Sequence, residues 1–320
     1  MKKLLLLIAV FGCVAAELPH PALLVLNKEG SLAIVDPGTR KVVGRVRTGD
    51  SPHEVAASED GRFAFVSNYG DATAPGNSIS IIDLVQQREA QRLDLGALRR
   101  PHGLWVAGGK LYFTCEVNKV VGRYDRPANK IDWLMGTGQN TTHMVMVKSD
   151  ESQIYTANIG SNTISILDRV GRIDWNQTVV EVGKGPEGFD ITPDGKELWA
   201  AGSRDGSVTI IDLFTKSVKA TIRVQTKRSN RLKFTPDGRM VLISDLGAGD
   251  LVVLARDTRK ELKRLPLGRE PAGILVTPDG ERAYVAVTGD DNVAIVDLKS
   301  LELTGRLTTG TGPDGMAWVK

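Results

Sequence analysis

A unit of about 43 residues recurs along almost the whole of this 320-residue chain, and that period constrains the fold more than any other feature. The clearest copy is "GKGPEGFDITPDGKELWAAGSRDGSVTIIDLFTKSVKATIRV", Gly183 to Val224. Each copy carries an apolar segment that ends in aspartate, as in "SLAIVD", "SISIIDL", "SVTIIDL" and "NVAIVDL". Its closing positions are Asp36, Asp83, Asp125, Asp168, Asp212, Ala255 and Asp297, separated by 47, 42, 43, 44, 43 and 42 residues. A second apolar segment precedes it ("FAFVSN", "QIYTAN", "ELWAAG"), and before that stands a stretch such as "SPHEVAASEDG" or "EPAGILVTPDG".

Within a unit, apolar and polar residues alternate, Val and Ile are frequent, and breaks fall at Asp-Gly or Gly. That pattern predicts short strands joined by hairpins. In "PDG" the proline presets the first turn position and the glycine accepts a positive φ. No segment sustains a helical period. Seven four-stranded units predict an all-β fold, a seven-bladed β-propeller with antiparallel blades. The ends support closure: "GPDGMAWVK" is only a first strand, while "ALLVLN", "SLAIVD" and "KVVGRVRTG" near the start supply the other three. A blade shared by both termini removes the open sheet edge, so loss of the last eight residues is expected to destabilise the whole ring.

The segments "GPEGFDITPDGKELW", "EPAGILVTPDGERAYVAV" and "FVSN…NSISIIDL" resemble the YVTN β-propeller repeat family over essentially the whole chain after its first residues. The resemblance implies the fold and leaves the function open. Related propellers include exported proteins of unknown role, the haem-binding propeller of dissimilatory nitrite reductases, and sugar-lactone hydrolases. The nitrite reductase propeller has eight blades and this chain counts seven. WD-repeat and kelch signatures are absent, as is the tryptophan-docking motif of alcohol-oxidising quinoproteins.

Composition narrows the context. A formal charge of +3, without basic runs interleaved with aromatics, argues against a nucleic-acid partner. The opening "MKKLLLLIAVFGCVAAELPHP" has the basic start, short apolar run and small residues of an export signal. The expected division is a signal over 1–16 and one propeller domain over 17–320. "VFGC" also resembles a lipobox ending at Cys13, so two outcomes are open: a periplasmic protein, or one lipid-anchored at the bacterial envelope. Either way a monomer is expected. After the leader only Cys115 remains, which rules out an internal disulfide, and the lack of "CxxCH" rules out covalent c-type haem.

The register places one residue of each blade at the start of its innermost strand, facing one mouth of the central channel. In order these are His53, His102, His143, Glu187, Asn230, Ala272 and Asp314. All three histidines beyond His20 share this position. Three imidazoles and a carboxylate on successive blades (His53, His102, His143, Glu187) are candidate ligands for one divalent transition metal. The competing reading is a repeat loop whose polar residue merely faces channel water. A second polar set, Asn27, Asn68, Glu116, Asn158 and Asp245, is expected at the ends of the next strands, where Asn and Asp commonly start turns. The aspartates that close the third strands are expected in Asx-turns at the opposite face. The long loop "NYGDATAPGNS" in the second blade is expected beside His53 and His102.

Basic residues gather in the loops leading into the first strands (Arg99, Arg100, Lys184, Lys227, Arg228, Arg231, Arg269). Asp50, Glu54, Glu187, Glu270 and Asp314 offset them. The mouth is therefore mixed in charge; solvated surface charge is the default reading, and a slight positive excess that favours a small anion is the alternative. Two functions fit. In the first, the mouth binds a protein, glycan or small molecule without turnover. In the second, the chain is a metal-dependent enzyme, a lactonase-like hydrolase or an oxidoreductase, built on the histidine arc. No nucleophile elbow, phosphate loop or isolated acid–base pair supports the second, and binding is favoured.

Overall fold

The computed structural model describes residues 18–171 and 174–320. The leader and Cys13 lie outside the described residues. The expected architecture is present: 28 strands, β1 to β28 in chain order, form seven antiparallel sheets of four, with no α-helix among the described residues. Blade 1 is closed by both ends of the chain, with β28 (Pro313–Val319) innermost, followed outward by β1 (Ala22–Asn27), β2 (Ser31–Asp36) and β3 (Lys41–Arg47). Blades 2 to 7 follow in sequence. Their innermost strands are β4 (Pro52–Ala57), β8 (Pro101–Ala107), β12 (Thr142–Val147), β16 (Pro186–Ile191), β20 (Ser229–Phe234) and β24 (Pro271–Val276). His20 Nδ1 lies 3.0 Å from the Lys320 carbonyl oxygen, a second tie between the two ends.

The core is divided among the seams between blades. Seven apolar clusters lie there, one per seam; Leu24, Leu26 and Ile34 of blade 1, for example, pack on Ala64, Val66 and Ile82 of blade 2. The two middle strands of a blade are covered on both faces, so they are apolar throughout: β1 and β2 are buried almost end to end. Outermost strands such as β3 face solvent on one side and keep the polar alternation.

At the channel the innermost strands converge, and the residue after each mouth position is Glu54, Gly103, Met144, Gly188, Arg231, Gly273 or Gly315. Glycine is required where strands nearly touch. A Cβ on Gly273 would lie 2.1 Å from the Asp314 carbonyl oxygen, and one on Gly188 would lie 2.6 Å from the Arg231 Cα. Each innermost strand is also irregular in register at this point, as between Pro52 and Val55 or Pro101 and Leu104. Such bulges re-aim side chains, and here two successive residues face the channel at the mouth.

Candidate functional site at the channel mouth

The mouth is a cavity of about 560 Å³ walled by the starts of the innermost strands and the residues that follow the second strands. Equivalent turn hydrogen bonds define the latter ring. The backbone amides of Lys28, Tyr69, Glu116, Ile159, Ser203, Leu246 and Thr288 each donate to a carbonyl in the loop leading into their own blade's innermost strand. Glu116 therefore shares its register with Tyr69, not with Asn68 and Asn158 as the repeat suggests. Cys115 occupies the place of those asparagines, opposite Pro101 as Asn68 is opposite Pro52. A slip of one residue reverses the face, and it turns Glu116 into the channel.

The three histidines meet. His53 Nδ1 is 3.2 Å from His102 Nε2, and the His102 and His143 rings stack with centroids 3.6 Å apart. His143 Nδ1 lies 2.5 Å from Glu116 Oε1, while the Tyr69 hydroxyl donates to Glu116 Oε2 at 2.6 Å. Tyr69 in turn stacks on His53 at 4.4 Å. Residues from blades 2, 3 and 4 thus close a loop of contacts, Tyr69–Glu116–His143–His102–His53. Burial lowers the His53 imidazole to about 4 and holds His102 well below its ordinary value, so both are neutral at pH 7. For Glu116, burial pushes the carboxyl up, but His143 and Tyr69 outweigh it and the group stays below its usual range. Burial and the Glu116 carboxylate together raise the Tyr69 phenol.

Glu187 does not join this group: Asn230 Nδ2 donates to it at 2.7 Å, and the side chains whose ligand atoms converge are His102, His143 and Glu116. The acidic neighbour of the imidazoles is reached across a blade seam and not from the ring position next to His143. Asp314 pairs with Lys28 at 3.2 Å. Burial raises its carboxyl, but Lys28, His53 and Arg231 more than offset that. Arg231, expected in a loop, is buried on the channel axis and forms an ion pair with Glu54 from the far side of the ring. This strut floors the mouth and separates it from a largely apolar chamber of about 510 Å³ lined by Trp105, Met146, Phe234 and Trp318.

The remaining residues are architectural. Asn68 and Asn158 are buried and bridge strands through Ser78 and Ser80, and through Thr163 and Ser165. Asn27 bonds Ser31 and Thr309, and Asp245 accepts the backbone amides of Lys227 and Arg228. Asp36, Asp83, Asp125, Asp212 and Asp297 make Asx-turns as expected, while Asp168 binds Gln153 and Lys216. Cys115 is buried, and burial raises its thiol to about 12, so it is unreactive. The long loop of blade 2 is an extended hairpin whose strands run to Gly70 and restart at Pro75, and it seats Tyr69 over His53.

The charges do not balance. The carboxylates of the cavity wall and floor are each engaged: Glu54 by Arg231, Glu116 by His143 and Tyr69, Glu187 by Asn230, and Asp314 by Lys28. Arg100, Arg204 and Arg228 also line the cavity, and none forms an ion pair with a carboxylate among the described residues, although Arg100 lies near enough to Asp71 to help lower its carboxyl. Arg100 instead lies over the Tyr69 ring, 5.2 Å from its centroid.

These features define a seven-bladed propeller with a closed-floored, imidazole-bearing and cation-rich mouth. The family model for YNCE-like beta-propellers matches residues 140–317, more than half of the chain, and the protein belongs to that family. The chain is 24% identical to the dihydro-heme d1 dehydrogenase of Pseudomonas aeruginosa, over 77% of its own length and 60% of that protein's. It thus spans less than two thirds of that relative. Among solved structures it superposes on Kuenenia stuttgartiensis hydrazine synthase with TM-score 0.74 at 19% identity, covering 92% of this chain and 99% of that one. A Bacteroides fragilis protein described as a 6-phosphogluconolactonase candidate matches with TM-score 0.78 at 15% identity, over 94% and 98% of the two chains. At these identities the structural likeness is one of fold.

Proposed function

We propose that this protein is a binding module whose channel mouth holds a small acidic molecule, a carboxylate or phosphate, without turning it over. The observation that carries the reading is the set of guanidinium groups at the mouth: Arg100, Arg204 and Arg228 line the cavity and form no ion pair with a carboxylate among the described residues, while Glu54, Glu116, Glu187 and Asp314 are each engaged. Guanidinium groups around a concave, closed-floored cavity favour bidentate capture of oxyanions. The export-signal pattern of the first residues supports a site of action at the bacterial envelope. Calorimetric titration of metal-free protein with citrate, and with glucose as the neutral control, tests the proposal. Citrate is expected to bind with an affinity that falls with salt and drops at least tenfold in an Arg100→Gln/Arg228→Gln variant. No citrate binding, or equal binding in the variant, would overturn it.

A further inference from the structure

The acidic-ligand reading makes no use of the imidazoles. We propose that His102, His143 and Glu116 form a site for one divalent transition metal ion in the mouth wall, at the seam of blades 3 and 4. The three side chains belong to residues only 2%, 6% and 8% exposed, and each offers a ligand atom within 4.8 Å of the others. His102 Nδ1 and His143 Nε2 are buried and have no hydrogen-bond partner, although the opposite nitrogen of each ring does. A buried polar atom left alone costs about 1–3 kcal/mol, and here two stand on stacked rings in one cavity wall.

The donor set selects the ion. Calcium and magnesium take oxygen ligands, whereas two imidazoles and one carboxylate suit zinc or its first-row neighbours. The outer contacts have the form that metal ligands use. His53 holds the His102 ring through Nε2, and His143 Nδ1 already faces Glu116 Oε1, so an ion shared by those two side chains takes the place of the proton between them. The Tyr69 hydroxyl holds the other Glu116 oxygen, which fixes the carboxylate as the third ligand. The three side chains line the same cavity as Arg100 and Arg228. An acidic molecule would there gain a metal bond as well as guanidinium contacts, a step that rests on the function proposed above.

Cobalt(II) titration of the metal-free full chain tests the site, read by visible absorption, with zinc uptake after dialysis measured by mass spectrometry. One equivalent of cobalt is expected to give ligand-field bands that zinc abolishes. His143→Gln and Glu116→Gln are each expected to weaken binding at least tenfold, whereas Glu187→Gln leaves it unchanged. Circular dichroism establishes which variants fold, and a zinc-induced rise in the parent's melting temperature keeps the test decisive if His143→Gln does not. The proposal is overturned if the parent takes up neither cobalt nor zinc, or if Glu116→Gln binds like the parent. It is likewise overturned if Glu187→Gln is the variant that loses the ion. Citrate is titrated into metal-free protein, so citrate binding without metal uptake sinks this proposal alone, and metal uptake without citrate binding sinks only the other.

Discussion

The two ends of the channel are built on opposite principles. At the end away from the histidines, the turns close on themselves. In Thr192-Pro193-Asp194-Gly195, and in the copies starting at Thr235 and Thr277, the threonine hydroxyl donates to the aspartate two residues on, at 2.6, 2.6 and 2.5 Å. The same carboxylate oxygen accepts the backbone amide of Lys196, Arg239 or Glu281, so each turn satisfies its own polar groups within six residues, and only Asp194 also reaches another blade, through Arg256 at 2.9 Å. At the mouth the contacts reach across blades: 49 residues separate His53 from His102, 47 separate Tyr69 from Glu116, and 177 separate Glu54 from Arg231. One end satisfies its polar groups locally and serves as scaffold. The other relies on the ring being closed, and keeps buried polar atoms unpartnered.

The strongest way to break this contrast is to remove one half of the cross-channel strut. Glu54→Leu removes the ion-pair partner of the buried Arg231 guanidinium, leaves only the more distant Asp314 and Glu187 to offset its charge, and should cost about 3–5 kcal/mol of unfolding free energy. Adding Arg231→Leu removes the stranded charge and should recover most of the loss. Urea unfolding of both single variants and the double measures the coupling. If Glu54→Leu costs no more than an exposed charge would, the strut is not what joins opposite sides of the mouth.

Next in size are the glycines where strands nearly touch. Gly273→Ala would drive a methyl group against the Asp314 carbonyl oxygen at 2.1 Å, and backbone cannot rotate aside as a side chain does. A loss of about 1–3 kcal/mol or more is expected. Gly136→Ala on an outer strand meets nothing within 4 Å and should change stability by only a few tenths of a kcal/mol in either direction. Equal melting temperatures for the two would mean that the ring relaxes at the channel.

The same contrast explains what could be read from the chain alone. Blade number, closure by both termini and the aspartate turns follow from spacing and local chemistry, because each repeats in a single unit. The histidines were visible as well, since three copies place them in one register. Glu116 was misplaced by one residue because Cys115 stands where the other copies have asparagine; aligning "TCE" with "SNY" would have paired it with Tyr69. The engagement of Glu187 by Asn230, and of Glu54 by Arg231, left no local trace. The second pair meets across the channel, and the repeat carries no information about which positions face each other there.

The smallest effect tests the scaffold end. The Thr235 hydroxyl and the Arg239 amide outweigh burial at Asp237 and hold its carboxyl at about 2, against 3.8 for an unperturbed aspartate. Between those values the unfolded chain binds the proton and the folded chain does not. The contribution is therefore complete above pH 3.8 and is lost as pH falls toward 2. It should stay below about 1 kcal/mol, because the side chain is 43% exposed and water screens it. Asp237→Asn should lower the melting temperature slightly at pH 7 and flatten its fall between pH 4 and pH 2, without altering cobalt uptake at the mouth. Loss of cobalt binding in this variant would show that the two ends are coupled, and that the turn is more than scaffold.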